Sequence, residues 1–111
     1  MTRHEPRDLF PGALEIMVLR VLQREPLHGY ALVQRIQQAS SDLLRVEEGS
    51  LYPALYRIEQ QGWITSEWGV SENNQRAKFY RLTRQGRRQL QVEGENWERL
   101  AAAVFKVMQT T

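Results

Sequence analysis

The sequence predicts a mostly α-helical α+β fold in one compact domain: three helices, a two-stranded hairpin and one long terminal helix. Three observations carry that expectation. Apolar residues recur at helical spacing in four stretches, opening near Ala13, His28-Gly29, Gly49-Ser50 and Arg84. Two short segments rich in β-branched and aromatic residues, Trp63–Val70 and Ala77–Thr83, flank the turn-prone run Ser71-Glu72-Asn73-Asn74-Gln75-Arg76. A length of 111 residues, with 41% hydrophobic and 25% charged residues, suits a single core of modest size.

Pro11-Gly12 precedes the first helix, Ala13 to Leu22. Leu14, Met17, Val18, Val21 and Leu22 fall on one stripe, and Ile16 and Leu19 widen it, so the helix should be buried on more than one side. Glu25-Pro26 ends it, because proline forces its predecessor out of the helical region. The second helix, from His28-Gly29 to about Gln38, places Tyr30, Val33, Ile36 and Gln37 on one face with Leu32 beside them. Asp42 to Glu48 is a connector with a short extended piece expected at Leu43–Val46.

The third helix runs from Gly49 or Ser50 to Gln61. Leu51, Leu55 and Ile58 obey the i, i+4, i+7 rule and should face the core. Pro53 is compatible with a first turn, where the N–H groups have no intrahelical acceptor, and fixes the start near Ser50, an acceptable cap. Gly62 stops the helix. After the hairpin, Thr83 caps a helix from Arg84 to about Gln109, roughly 38 Å long at about 1.5 Å per residue. Its stripe is Leu90, Trp97, Leu100 or Ala101, Val104 and Met108; Gly86 and Gly94 weaken it without breaking it.

Composition excludes several classes. With no cysteine, disulfides, thiol catalysis and Cys-ligated zinc are ruled out. Only His4 and His28 could supply imidazole to a metal, and no metal or cofactor site is expected. No nucleophile–base pair or Gly-rich phosphate loop suggests an enzyme. No apolar run approaches the roughly 20 residues of a membrane span, and Met1–Gly12 carries no apolar signal core, so the expected compartment is the cytoplasm. The formal net charge is only +2, yet Asn73–Val92 holds Arg76, Lys78, Arg81, Arg84, Arg87 and Arg88 and no acid. Such a stretch is the footprint of a polyanion site or, more plainly, a solvated face.

Helix, helix, helix, hairpin, long helix is the plan of a winged helix-turn-helix. Residues 1–8 then form a flexible leader, 9–83 the winged domain and 84–111 the terminal helix. In this motif the second helix of the pair enters the major groove of DNA. Here that is the helix at Ser50: with Leu51, Leu55 and Ile58 inward, Ser50, Pro53, Tyr56, Arg57 and Gln60 turn outward and Tyr52 lies on the border. Hydroxyls and Arg57 can bond phosphates or base edges, while the Pro53 ring and Ala54 are compact enough to approach bases. Arg76 and Lys78 at the hairpin tip reach phosphate or minor groove, and His28 and Tyr30 can meet phosphate at a helix N-terminus. Trp68, Phe79 and Tyr80 could stack single-stranded bases; a plainer account has Phe79 and Trp68 covering the core.

The terminal helix must bury its stripe. Pairing with a second copy does so, with Leu14, Met17, Leu90, Trp97, Ala101, Val104 and Met108 at the interface, and sets two recognition helices on a palindromic site; packing within a monomer is the alternative. A winged helix serving as a protein–protein adaptor is the competing function.

Leu27-His28-Gly29-Tyr30, Glu48-Gly49-Ser50-Leu51-Tyr52-Pro53-Ala54-Leu55 and Lys78-Phe79-Tyr80-Arg81-Leu82-Thr83, with Gly86 just after, resemble the PadR family of bacterial transcriptional regulators, nearly end to end from Leu9. The resemblance implies a winged-helix homodimer joined through the C-terminal helix, of the smaller subfamily. It also implies repression of genes for phenolic-acid, drug or other stress responses. By position it implies Ser50, Tyr52, Pro53 and Arg57 on the recognition helix, His28 and Tyr30 on the supporting helix, and Arg76 and Lys78 on the wing. Family wings often hold a Gly/Pro-containing basic tip, whereas this one is Glu72-Asn73-Asn74-Gln75-Arg76-Ala77. In some relatives paired tryptophans stack flat aromatic ligands; Trp97 is the candidate here for such an effector, with plain interface packing the favoured role.

Overall fold

A computed structural model describes residues 12–110; the leader expected over residues 1–8 lies outside them. The elements are α1 (Ala13–Leu22), β1 (Leu27–His28), α2 (Gly29–Ala39), α3 (Glu48–Gln60), β2 (Ile64–Val70), β3 (Arg76–Leu82) and α4 (Arg84–Met108). The plan is the winged helix expected, with one strand more. β1 pairs antiparallel with β3, Leu27 opposite Tyr80 and His28 opposite Phe79, so the sheet has the order β1-β3-β2. Two residues are too short to show the alternation by which strands are recognised in sequence.

The core is one cluster: Val18, Leu19 and Leu22 from α1, Leu32 and Ile36 from α2, Leu51, Leu55 and Ile58 from α3, Leu27, Ile64, Tyr80 and Leu82 from the sheet, and Leu90 from α4. The inward face of α2 is turned from that expected. Gly29, Leu32 and Ile36 are buried, whereas Tyr30 is exposed and Val33 and Gln37 are only partly covered. No strand forms at Leu43–Val46. Instead Ser41 and Asp42 take left-handed backbone angles and the Asp42 N–H returns to the Gln37 carbonyl, turning the chain.

α3 begins at Glu48, earlier than expected, with extended Glu47 as its uncapped N-terminal neighbour. Ser50 is therefore within the helix and is not its cap. Pro53 lies beyond the first turn, and its missing N–H deprives the Gly49 carbonyl of its usual i+4 donor; exposed Gly49 can meet water instead. At the other end Gly62 has φ +83° and the Trp63 N–H bonds the Ile58 carbonyl, closing a Schellman turn.

Thr83 caps α4 by accepting from the Gly86 N–H at 2.9 Å and donates its own hydroxyl to the Gly62 carbonyl at 2.7 Å. Gly86 is a requirement here rather than a weakness. A Cβ at this position would overlap the Trp63 carbonyl oxygen and lie 2.8 Å from Leu82 Cδ1. Past Leu90 the helix leaves the core, and Leu100, Val104, Phe105, Val107 and Met108 are exposed.

Candidate nucleic-acid interface

α3 presents its outer face because its inner one is fully engaged. Leu51, Ala54, Leu55 and Ile58 are buried, and Tyr52, Pro53, Tyr56, Arg57 and Gln60 are exposed, with Ser50 half-buried. Ala54 corrects the sequence-based expectation: it is 0% exposed and packs inward, so it cannot approach a base. Tyr56, at 65% exposure, projects furthest into solvent among the aromatic residues of the helix.

Tyr52 has a structural partner as well as an open face. Its hydroxyl sits over Gly29, where any Cβ would overlap it, so the bare backbone at the start of α2 gives the ring its seat. Burial, followed by the nearby Glu48 charge, raises the Tyr52 pKa above 10.0. Arg57 is likewise placed by a neighbour. Its Nε and Nη2 donate to Glu15 Oε2 of α1 at 2.8 and 2.6 Å, with the Arg57 side chain still 58% exposed.

The hairpin register sorts the second set of cations. Ile64, Ser66, Trp68 and Val70 stand opposite Leu82, Tyr80, Lys78 and Arg76, so these eight share one face by the two-residue period of a strand. Ser66 Oγ donates to Glu59 Oε2 at 2.8 Å, which fixes that face against α3. Trp68 and Phe79 cannot both cover the core, because they occupy opposite faces. Phe79 lies on the outer face over Gly69 and meets the His28 ring edge-on at 5.3 Å between centroids. Trp68 lies on the core face but beyond the core, 58% exposed, with the Arg76 guanidinium carbon 4.5 Å from its ring centroid.

His28 is the N-cap of α2, accepting the Ala31 N–H on Nδ1 at 3.3 Å, so one ring nitrogen is already engaged. The basic run of the sequence is divided in space. Arg76 and Lys78 face the α3 side, Arg81 the opposite sheet face, and Arg87 lies in a groove between α1 and α4. That groove, about 520 Å³, is lined by Ile16, Met17 and Arg20 of α1 and by Leu90, Gly94 and Glu98 of α4, among others. Of the expected interface residues, Met17 and Leu90 line it. Leu14 and Trp97 are half-buried elsewhere, and Ala101, Val104 and Met108 lie on the exposed end of α4.

Residues 18–92 match the Transcriptional regulator PadR-like family. The chain belongs to the PadR-like family. Among relatives of this PadR-like regulator is the transcriptional regulator Rv3488 of Mycobacterium tuberculosis, 32% identical over 99 residues, spanning 89% of each chain. Among solved structures, a PadR family transcriptional regulator from Eggerthella lenta superposes with a TM-score of 0.77 at 36% identity, covering 94% of this chain and 88% of that one. A transcriptional regulator from Clostridium thermocellum gives a TM-score of 0.80 at 28% identity, covering 89% and 96%. The family is one of transcriptional regulators, and among the described residues no helix is long and apolar enough to cross a membrane.

Sequence reasoning missed Glu15 and the role of Trp68 in this PadR-like chain. Glu15 gave no local signal, since its partner lies in another helix. Trp68 did give one: counting in twos from Ile64 puts it on the face that also carries Arg76.

Proposed function

We propose that this chain is a homodimeric, sequence-specific repressor of transcription that occupies a palindromic operator in cytoplasmic double-stranded DNA. The observation that carries the proposal is the division of α3, with Leu51, Ala54, Leu55 and Ile58 anchoring it and Tyr52, Pro53 and Tyr56 open to solvent. A helix fixed along its back can enter a major groove without reorganising, and hydroxyls and compact rings suit base edges and phosphates. Ser50, Tyr52, Pro53, Tyr56 and Arg57 would contact the groove and its rim, Arg76 and Lys78 the backbone beside it, and Tyr30 a flanking phosphate. His28 would act mainly by shaping the start of α2. Arg57 reaches DNA by exchanging the Glu15 carboxylate for a phosphate, a substitution of one anion for another.

Dimerisation is supported by the end of α4. Leu100, Val104, Phe105, Val107 and Met108 are exposed and, at about 100° per residue, fall within roughly 160° of the helix circumference, so they form one broad apolar face that a partner can cover. A second copy offers both its own α4 and the α1–α4 groove holding Met17 and Leu90. Trp97 and Ala101 would pack along the same contact, with Trp97 supporting the interface rather than stacking an aromatic effector. Occupancy of an operator by such a dimer blocks transcription sterically.

Selection of bound duplexes from a random DNA pool tests the proposal. Enrichment of a two-fold symmetric site with half-sites about one helical turn, roughly 10 base pairs, apart is expected. Failure to enrich any sequence would favour a protein–protein adaptor instead.

A further inference from the structure

Trp68 is a large apolar side chain held in solvent at the end of a hairpin, with a cation lying on its face. Arg76 is the diagonal neighbour of Trp68 across the β2–β3 ladder, since Trp68 pairs with Lys78 and Val70 with Arg76. Among the described residues no carboxylate pairs with Arg76 or Lys78, in contrast to Arg57 and Arg35, which have Glu15 and Glu25. A guanidinium stacked on an aromatic ring uses its face and keeps its N–H donors, which lie in its own plane, for another partner. The arrangement therefore orients a cation without consuming its hydrogen-bonding capacity. An exposed arginine without such a platform must give up its rotamer freedom when it binds. The wing lacks glycine and proline at its tip, which is closed by backbone hydrogen bonds among Ser71, Asn74 and Gln75, and the contact that places the Arg76 side chain is with this ring.

We propose that Trp68 is a positioning residue for DNA binding: it holds Arg76 flat so that the guanidinium edge meets a backbone phosphate. The inference rests on the DNA-binding function proposed above. It assigns the indole no contact with the duplex, so Trp68 acts through Arg76 alone.

The test is fluorescence anisotropy with a labelled mixed-sequence duplex of about 20 base pairs, long enough for two half-sites, across a salt series. Because phosphate contacts do not depend on sequence, no operator need be known. Trp68→Leu should bind about two- to fivefold more weakly per protomer, the range given by an exposed cation–π contact, hence about four- to twenty-five-fold for a dimer on the duplex, with Trp68→Phe recovering part of the loss. Its plot of log affinity against log salt should run parallel to that of the wild type, since no charge is removed. Arg76→Ala should flatten the slope by about 1.8, the value for two phosphates, one per protomer of the bound dimer. In the Arg76→Ala background, Trp68→Leu should have no further effect. Exposed Trp68 is not a core residue, and an unchanged melting curve checks that the variants fold. Wild-type affinity for Trp68→Leu would overturn the inference, as would a loss of equal size in both backgrounds, which would put the indole itself on DNA. Absence of salt-dependent binding by the wild type is a separate result and would remove the DNA-binding function beneath it.

Discussion

Gly86→Ala opposes a gain in helix propensity to a steric conflict at the joint between α3 and α4. Alanine is favoured over glycine within a helix by about 1 kcal/mol. The added methyl, however, would overlap the Trp63 carbonyl oxygen and crowd Leu82 Cδ1 at 2.8 Å. Trp63 cannot simply withdraw. Its N–H closes the turn after α3 onto Ile58, and its carbonyl accepts the Thr83 N–H at 3.0 Å. Overpacking of this kind costs about 1–3 kcal/mol, and loss of the Thr83 cap would add about 1 kcal/mol. The conflict wins, leaving a net destabilisation of roughly 1–3 kcal/mol. For a domain of this size the thermal midpoint should fall by about 4–8 °C per kcal/mol. Melting curves at fixed chain concentration measure it, because association itself would shift the midpoint. Gly49→Ala is the comparison, since nothing lies within 4 Å of its added methyl and the midpoint should hold or rise. A Gly86→Ala midpoint equal to or above the wild type would refute the reasoning, because the joint would then yield at no cost.

The remaining predictions concern association, DNA affinity and pH. Phe105→Asp, at a side chain 70% exposed, should leave the fold intact and shift sedimentation toward monomer; an unchanged dimer would place the interface elsewhere. Glu15→Gln removes the anion that competes for Arg57, so duplex affinity at low salt should rise by up to about fivefold per protomer, about twenty-five-fold for a dimer, the equivalent of an exposed pair worth at most about 1 kcal/mol in each. Equal or weaker binding would mean that Glu15 holds Arg57 in place for another purpose. Tyr80 is raised above 10.0 by burial first, then by Tyr52 and Glu59, and Tyr52 is raised by burial and Glu48. The unfolded chain then loses these protons at lower pH than the folded one. Their contribution to stability is fully present below pH 10.0 and is lost as pH rises through the raised values. Denaturant titrations should show that alkaline decline, and Tyr52→Phe should make it shallower; an identical decline would show that Tyr52 does not contribute.

The helices were legible in the sequence because each carries its own periodic record. Leu51, Leu55 and Ile58 identify the inner side of α3 by spacing alone, and Thr83 marks the start of α4 because a cap is a local bond. Gly62 marks the end of α3 for the same reason: its backbone angle is a property of one residue. The hairpin was legible from a turn-prone run between two β-rich segments. The faces of α3 followed, except at Ala54, where a small side chain fits either surface and only the neighbouring elements choose.

Tertiary structure decided what depends on residues far apart in the chain. β1 exists because β3 runs alongside Leu27 and His28, and two residues have no period of their own. The Arg57–Glu15 pair joins helices separated in sequence by α2, and no local pattern links them. Gly86 looks like a helix weakness in sequence, while in space it is where the Trp63 carbonyl passes. The basic run from Arg76 to Arg88 is continuous along the chain but divided among two sheet faces and a groove, because strand alternation and helix rotation direct neighbouring side chains apart. Sequence records short-range preference directly; close approach and pairing across elements arise only when the chain is packed.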